Sequence, residues 1–237
     1  MTAYENTIIV GGGKGGVGKS TCTHALLYYL AQLGKEAHLI EADTSNPDVA
    51  KAHQRKSDET TASLPMSLLD LDVEDGWLEL LNVRAEHPQR TLVVNTGARS
   101  NLAIDRFGPL LAAGLEELGA PLVTVWMIDS TRDCLELLAQ YRKTFPASLT
   151  HVMRNAHLSR TFELYDESKL RRELERSGGR SLTLPALTQR VAQVLSANRL
   201  SLTDAQHCEA LHFGHKVALR RWLVDVSAVL KDLLAAA

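Results

Sequence analysis

Short apolar runs recur along the chain, separated by longer stretches whose apolar residues keep helical spacing. Thr7-Ile8-Ile9-Val10, Ala37 to Ile40, Thr91-Leu92-Val93-Val94, Pro121 to Ile128 and Leu149 to Met153 are a few residues each and apolar at successive positions. That is the pattern of strands covered on both faces. Ser67 to Leu71 reads as a further short strand, and Leu182-Thr183-Leu184-Pro185 as the one that ends the sheet. Helical segments fall between them. Leu26, Leu30 and Leu33 recur on one face, with Gly34 as a stop; Val73 to Glu86 is bounded by Pro88; others cover Asp105 to Leu118 and Thr131 to Lys143. Helical material then runs through Arg176 to the break at Gly178-Gly179, and two helices near 187–197 and 212–234 close the chain. Leu219, Leu223, Val226, Leu230 and Leu233 form a continuous stripe on the last of these, which predicts a helix packed on the sheet rather than one lying on a membrane. Residues 44–65 are polar and hold Pro47 and Pro65, so they are expected to be mobile, with Asp48 capping the segment after Pro47.

Strands alternating with helices predict an α/β fold: a doubly wound, mostly parallel sheet flanked by helices. No linker divides the sequence, so one domain is expected over 1–237, with the helices of 187–237 packed on it. The loops at 11–19, 41–48, 95–101, 129–133 and 154–158 each follow a strand. In such a sheet they share the rim where ligands bind.

The first of these loops reads GGGKGGVGKST and contains G-x-x-x-x-G-K-[ST] as Gly13, Gly18, Lys19 and Ser20, followed by Thr21. Between strand and helix, this string predicts a phosphate cradle. Gly13, Gly15, Gly16 and Gly18 keep side chains away, so that backbone N–H groups along the loop, Val17 included, can wrap an anion at the positive end of the next helix. Lys19 would then reach the β/γ-phosphates and the Ser20 hydroxyl would ligate Mg²⁺.

Lys14 adds a second cation, and KGGVGKS resembles the deviant phosphate loop of the ParA/MinD family of ATPases. The resemblance implies that ATP and Mg²⁺ are the ligands. It also implies that Lys14 reaches the nucleotide of a partner when two ATP-bound copies stack face to face. Glu41-Ala42-Asp43 is similar to the family's D-x-D segment, in which the second acid, here Asp43, orients the attacking water. Family members end the third long strand in D-x-[PA]-[AP]-G, whose Asp holds a water on Mg²⁺; here Asn95 takes that place. An amide adds no charge to hold the cation, so hydrolysis is expected to be slow, or another acid, Glu41 or Asp43, compensates. His151-Val152-Met153-Arg154-Asn155 resembles the strand whose terminal Asn contacts adenine, and Pro185 would wall the base pocket. No N-K-x-D follows, so ATP is expected over GTP.

Asn95 and the E-x-D-x-x-N-P run of residues 41–47 resemble the ATPases encoded with plasmid conjugation and mobilisation genes. The implied function is a slowly hydrolysing, nucleotide-dependent dimeric switch that positions or partitions DNA or a transfer complex through a partner protein. The alternatives are a non-hydrolysing nucleotide-binding adaptor and an amide-forming enzyme on the same fold, against which Lys14 argues.

Bulk properties narrow this further. The 237 residues carry a formal net charge of −2, so any DNA contact needs a local patch or a partner; Lys216, Arg220 and Arg221 with Arg171, Arg172 and Arg176 are the candidates. Cys22, Cys134 and Cys208 lie far apart, without the spacing of a zinc or iron–sulfur site. His24, His151 and His157 show no metal spacing either and read as ordinary core or polar residues. With no signal peptide and no run of membrane-span length, a cytoplasmic protein is expected.

Overall fold

The computed structural model describes residues 3–54, 64–98 and 100–235. Its strands are β1 (Thr7–Gly11), β2 (Ala37–Glu41), β3 (Met66–Leu68), β4 (Thr91–Asn95), β5 (Leu122–Ile128), β6 (Leu149–Asn155) and β7 (Ser181–Leu184). They form one seven-stranded sheet in the order β3-β2-β4-β1-β5-β6-β7. Every pairing is parallel, with Val10 beside Asn95 and Ile40 beside Val94 in register. The sheet expected to be mostly parallel is parallel throughout. β1, β2 and β4 are buried along their whole length, which is why each reads as an unbroken apolar run.

Helices α1 (Lys19–Gln32), α2 (Asp48–His53), α3 (Glu74–Glu86), α4 (Asn101–Leu118), α5 (Arg132–Thr144), α6 (Glu163–Asp166), α7 (Lys169–Arg176), α8 (Gln189–Asn198), α9 (Leu202–Ala205) and α10 (Phe213–Leu234) connect and flank the strands. α3, α4 and α5 pack on one another, whereas α1 packs with α2, α9 and α10. Since all strands run the same way, the loops after β1, β2, β4, β5 and β6 meet on one rim, as expected.

Three local expectations change. Leu33 lies past the end of α1 and is half exposed, so the buried face of that helix is carried by Leu26 and Leu30. Part of the segment 44–65 is ordered as α2, with Val49, Ala50 and Ala52 buried; the expectation of mobility over 55–63 lies outside the described residues. Asp48 is the first residue of α2 rather than its cap, and its Oδ2 accepts from Asn46 Nδ2 at 2.7 Å.

α10 buries Leu219, Trp222, Leu223, Val226, Leu230 and Leu233, and Trp222 Nε1 donates to the Pro185 carbonyl at 2.8 Å. The stripe therefore faces the core. Leu230 is fully buried, so Leu230→Ala should cost about 2–5 kcal/mol through lost burial and the cavity left behind. Urea denaturation checks this; an unchanged midpoint would mean that α10 stands off the sheet. Among the described residues no helix is long and apolar enough to cross a membrane.

Candidate functional site

The loop between β1 and α1 is tightly packed behind and open in front. A Cβ at Gly13 would lie 2.0 Å from Leu137 Cδ1, and one at Gly18 would lie 2.5 Å from Asn155 Nδ2. At Gly16, by contrast, nothing stands within 4 Å. Gly16 and Gly18 also adopt φ of 77° and 102°, where a side chain is strained. Among the described residues, the N–H groups of Lys14, Gly15 and Gly16 meet no intramolecular acceptor. A concave backbone with unused donors at the start of a 14-residue helix fits an anion such as a phosphate chain.

Two lysines frame it. Lys19 is buried, and its Nζ donates to the Lys14 carbonyl at 3.0 Å, spanning the mouth of the loop. Burial lowers its pKa, opposed by the negative charge of Asp43. A phosphate would offer this ammonium a charged acceptor in place of a carbonyl. Lys14 turns the other way. Its Nζ pairs with Asp133 Oδ2 at 3.0 Å and donates to Thr131 Oγ1 at 3.0 Å, and Asp133 holds its pKa up. Thr131 in turn donates to Asp129 Oδ1 through both Oγ1 and backbone N, at 2.6 and 2.8 Å. Within one chain, the cation expected to act on a partner is docked at the start of α5.

Across the rim, the acids expected to serve the metal and the water are arranged unequally. Asp43 is partly exposed; its Oδ1 accepts from Ser45 Oγ at 2.8 Å and Asn46 N at 3.1 Å, a local turn that fixes the carboxylate. Glu41 is fully buried, with Oε1 accepting from Asn95 Nδ2 at 2.8 Å and Asp43 N at 3.2 Å, and Oε2 from Ala50 N at 3.1 Å. Burial raises its carboxyl pKa, and these donors oppose the rise. Asn95 sits at the expected strand end, but it is buried and both ends of its amide are used inside the protein. Nδ2 goes to Glu41, and Oδ1 accepts from Thr23 Oγ1 at 3.1 Å. Glu41 is therefore a buried structural acceptor, not an open substitute for the missing acid.

Asn155 is likewise nearly buried. Its Nδ2 donates to the Val17 carbonyl at 2.9 Å and its Oδ1 accepts from His157 N at 2.9 Å, so in this conformation the amide clamps the phosphate loop and its own turn. Ser20 and Thr21 border a cavity of about 170 Å³ that is also lined by His24, Asp48, Leu187 and Ala192. Its walls come from α1, α2, α8 and the loop after β7. The basic candidates are partly spent: Arg171 pairs with Glu175 at 2.8 Å and Asp166 at 3.3 Å. No group of three or more His, Cys, Asp or Glu among the described residues is placed to hold a metal.

Sequence reasoning missed Thr23, Asp133 and Leu137. Thr23 lies one helical turn beyond Lys19, and Asp133 follows a Thr at a helix start. Those local signals carry no hint of the partners they meet across the fold.

The loop, the parallel sheet and the central position of β1 define a P-loop NTPase. A family model described as ParA, NUBPL iron-transfer P-loop NTPase, matches residues 3–107. The chain is 40% identical to Protein MobD of Acidithiobacillus ferrooxidans over 232 residues, covering 97% of this chain and 98% of that protein. Its fold is similar to that of the MinD cell division protein of Aquifex aeolicus, with a TM-score of 0.55 at 15% identity over 96% of this chain and 97% of that one. It is also similar to the McdA–ATP complex of Cyanothece, with a TM-score of 0.51 at 14% identity over 97% of both chains. The chain belongs to the ParA/MinD family of P-loop NTPases.

Proposed function

We propose that this chain is an ATP-dependent switch that pairs with a second copy of itself when ATP and Mg²⁺ are bound and hydrolyses ATP slowly. The observation that carries this reading is the open glycine face of the loop, with Lys19 across its mouth and a second cation, Lys14, at its rim. Backbone N–H groups from Gly13 to Thr21 and the Lys19 ammonium would hold the phosphates, and Ser20 and Asp43 would face the Mg²⁺. Mg²⁺ would neutralise the β/γ-phosphate charge. Among the described residues Asp43 Oδ2 meets no donor, which leaves it able to orient a water, while Asn95 acts from beneath through Glu41. The cavity beside Thr21 is the place for the nucleoside.

Identity of 40% to Protein MobD, together with the residue 41–47 run and Asn95, supports a role in plasmid mobilisation, partition or the positioning of a DNA-transfer complex through a partner protein. The amide at 95 also keeps the non-hydrolysing adaptor as a second reading, and a steady-state phosphate-release assay separates the two.

The test is to size the wild type and Lys14→Ala with ADP, ATP and a non-hydrolysable analogue. The wild type should be dimeric with the ATP analogue and monomeric with ADP. Lys14→Ala should bind ATP with unchanged affinity yet stay monomeric, because the lost cation acts across the interface. A wild type that stays monomeric under every condition would overturn the dimeric switch.

A further inference from the structure

The acid expected at the end of β4 is an amide, and the structure shows what that amide faces. Glu41, at the end of β2, is fully buried, and a buried carboxylate requires hydrogen-bond donors. It receives three N–H groups: Asn95 Nδ2 and Asp43 N on Oε1, and Ala50 N on Oε2. The Ala50 N–H belongs to the first turn of α2, where the helix itself supplies no acceptor. An aspartate at 95 would set a second carboxylate where Asn95 Nδ2 now stands, 2.8 Å from Oε1, and would remove one donor as well.

The other end of the amide completes the connection. Thr23 Oγ1 lies 3.1 Å from Asn95 Oδ1 and 3.0 Å from the Lys19 carbonyl, so the hydroxyl joins β4 to the first turn of the phosphate-loop helix. A continuous run of hydrogen bonds thus leads from Lys19 through Thr23, Asn95 and Glu41 to the backbone of Asp43 and Ala50.

We propose that Glu41 and Asn95 form one positioning unit, in which the amide on β4 is matched to the carboxylate on β2 and the pair holds residues 43–50 in register with the phosphate-loop helix. This rests on the reading that Asp43 and the phosphate loop belong to one nucleotide site. Neither residue touches the nucleotide; each acts through its neighbours. The unit also accounts for the departure at 95 without requiring a lost metal ligand, because exchanging Asp for Asn on β4 is the complement of keeping a buried acid on β2.

The test compares wild type, Asn95→Asp, Asn95→Ser, Glu41→Gln and the exchange Glu41→Gln/Asn95→Asp. Backbone amide hydrogen exchange is read at Asp43 and Ala50 without nucleotide, and ATP affinity is measured alongside by calorimetry. Asn95→Ser is too short to reach Glu41 and adds no charge; it and Asn95→Asp should each speed exchange at both amides by about tenfold, the equivalent of one lost buried hydrogen bond. In the exchanged pair, the side-chain amide introduced at position 41 donates through its nitrogen to the carboxylate introduced at position 95, while its oxygen keeps the Ala50 N–H. Protection should therefore return at Ala50 but not at Asp43, whose N–H then faces the amide nitrogen. ATP affinity should fall in the single variants and recover in part in the exchanged pair.

Exchange at Ala50 in the double variant equal to the product of the two single effects would overturn the unit. So would unchanged exchange at both amides in Asn95→Ser. If Asn95→Asp does not fold but the exchanged pair does, the matching is supported, and if neither folds Asn95→Ser carries the test. Absence of ATP binding by the wild type would defeat the proposed function, whereas the exchange data would still report on the positioning unit.

Discussion

Lys19→Ala should abolish measurable ATP binding, a loss of at least about a thousandfold, in a chain that still folds. Lys19 Nζ is buried, faces the Lys14 carbonyl and carries the positive charge nearest the glycine cradle. A buried, charge-assisted contact to a polyphosphate exceeds an ordinary hydrogen bond, and no neighbouring cation replaces it, because Lys14 is turned toward Asp133. The fold should survive, since the side chain makes one hydrogen bond to a loop carbonyl and removing it lifts the cost of burying the ammonium. Calorimetry with Mg²⁺–ATP and a thermal melt check both halves. Affinity within tenfold of wild type in a well-folded variant would overturn the assignment of the loop.

Lowering the pH from 7 to 5 should cost the fold on the order of 5 kcal/mol from three buried histidines, about 2 kcal/mol each. His24 stacks on His53 with ring centroids 5.6 Å apart. Burial, with His53 beside it, depresses His24 to about 3. Burial depresses His53 to about 4, against the pull of Asp204. Burial and Arg180 hold His151 at about 4, and its Nδ1 already accepts the Arg180 N–H at 3.2 Å, so protonation there breaks a bond. Among the described residues His24 Nδ1 and His53 Nε2 have no partner, so no acceptor awaits a new proton. In the unfolded chain these rings take up protons near pH 6.5, but in the folded chain only near 3 to 4. Between those limits the unfolded state binds more protons, so the loss begins as pH falls through 6.5 and is complete near the folded values. Above 6.5 these groups add no slope. Such a loss is comparable to the whole stability of many domains. Urea midpoints from pH 8 to 5 measure it, and His24→Gln should flatten the acid limb; a midpoint constant from 7 to 5 would exclude the mechanism.

Much of the sheet was legible because β1, β2, β4 and β5 lie between helical layers, and burial on both faces writes itself as unbroken apolar runs. α2 and α9 were not. At six and four residues they are too short to show a helical period, and the first turn of α2 is held by a carboxylate from another strand. The candidate site divides in the same way. The phosphate loop is read directly because its chemistry lies in one contiguous stretch of backbone, whose glycines are required by geometry. Asn95 could be seen as a departure, but not explained: its partners Glu41 and Thr23 lie 54 and 72 positions away, and only the β2–β4 and α1–β4 packing brings them together. Lys14 was legible as an extra cation, while its resting partner Thr131, 117 positions on, was not.

That resting place for Lys14 has a consequence for how such a protein behaves at different abundances. A side chain anchored to Asp133 of its own chain is withdrawn from its own phosphate loop, so, on the dimeric proposal, a solitary copy lacks the cation its own nucleotide needs. Turnover then follows the square of concentration when copies are scarce and becomes proportional to it once most are paired. A protein built this way reports how many of its kind are gathered in one place, and stays quiet where they are sparse.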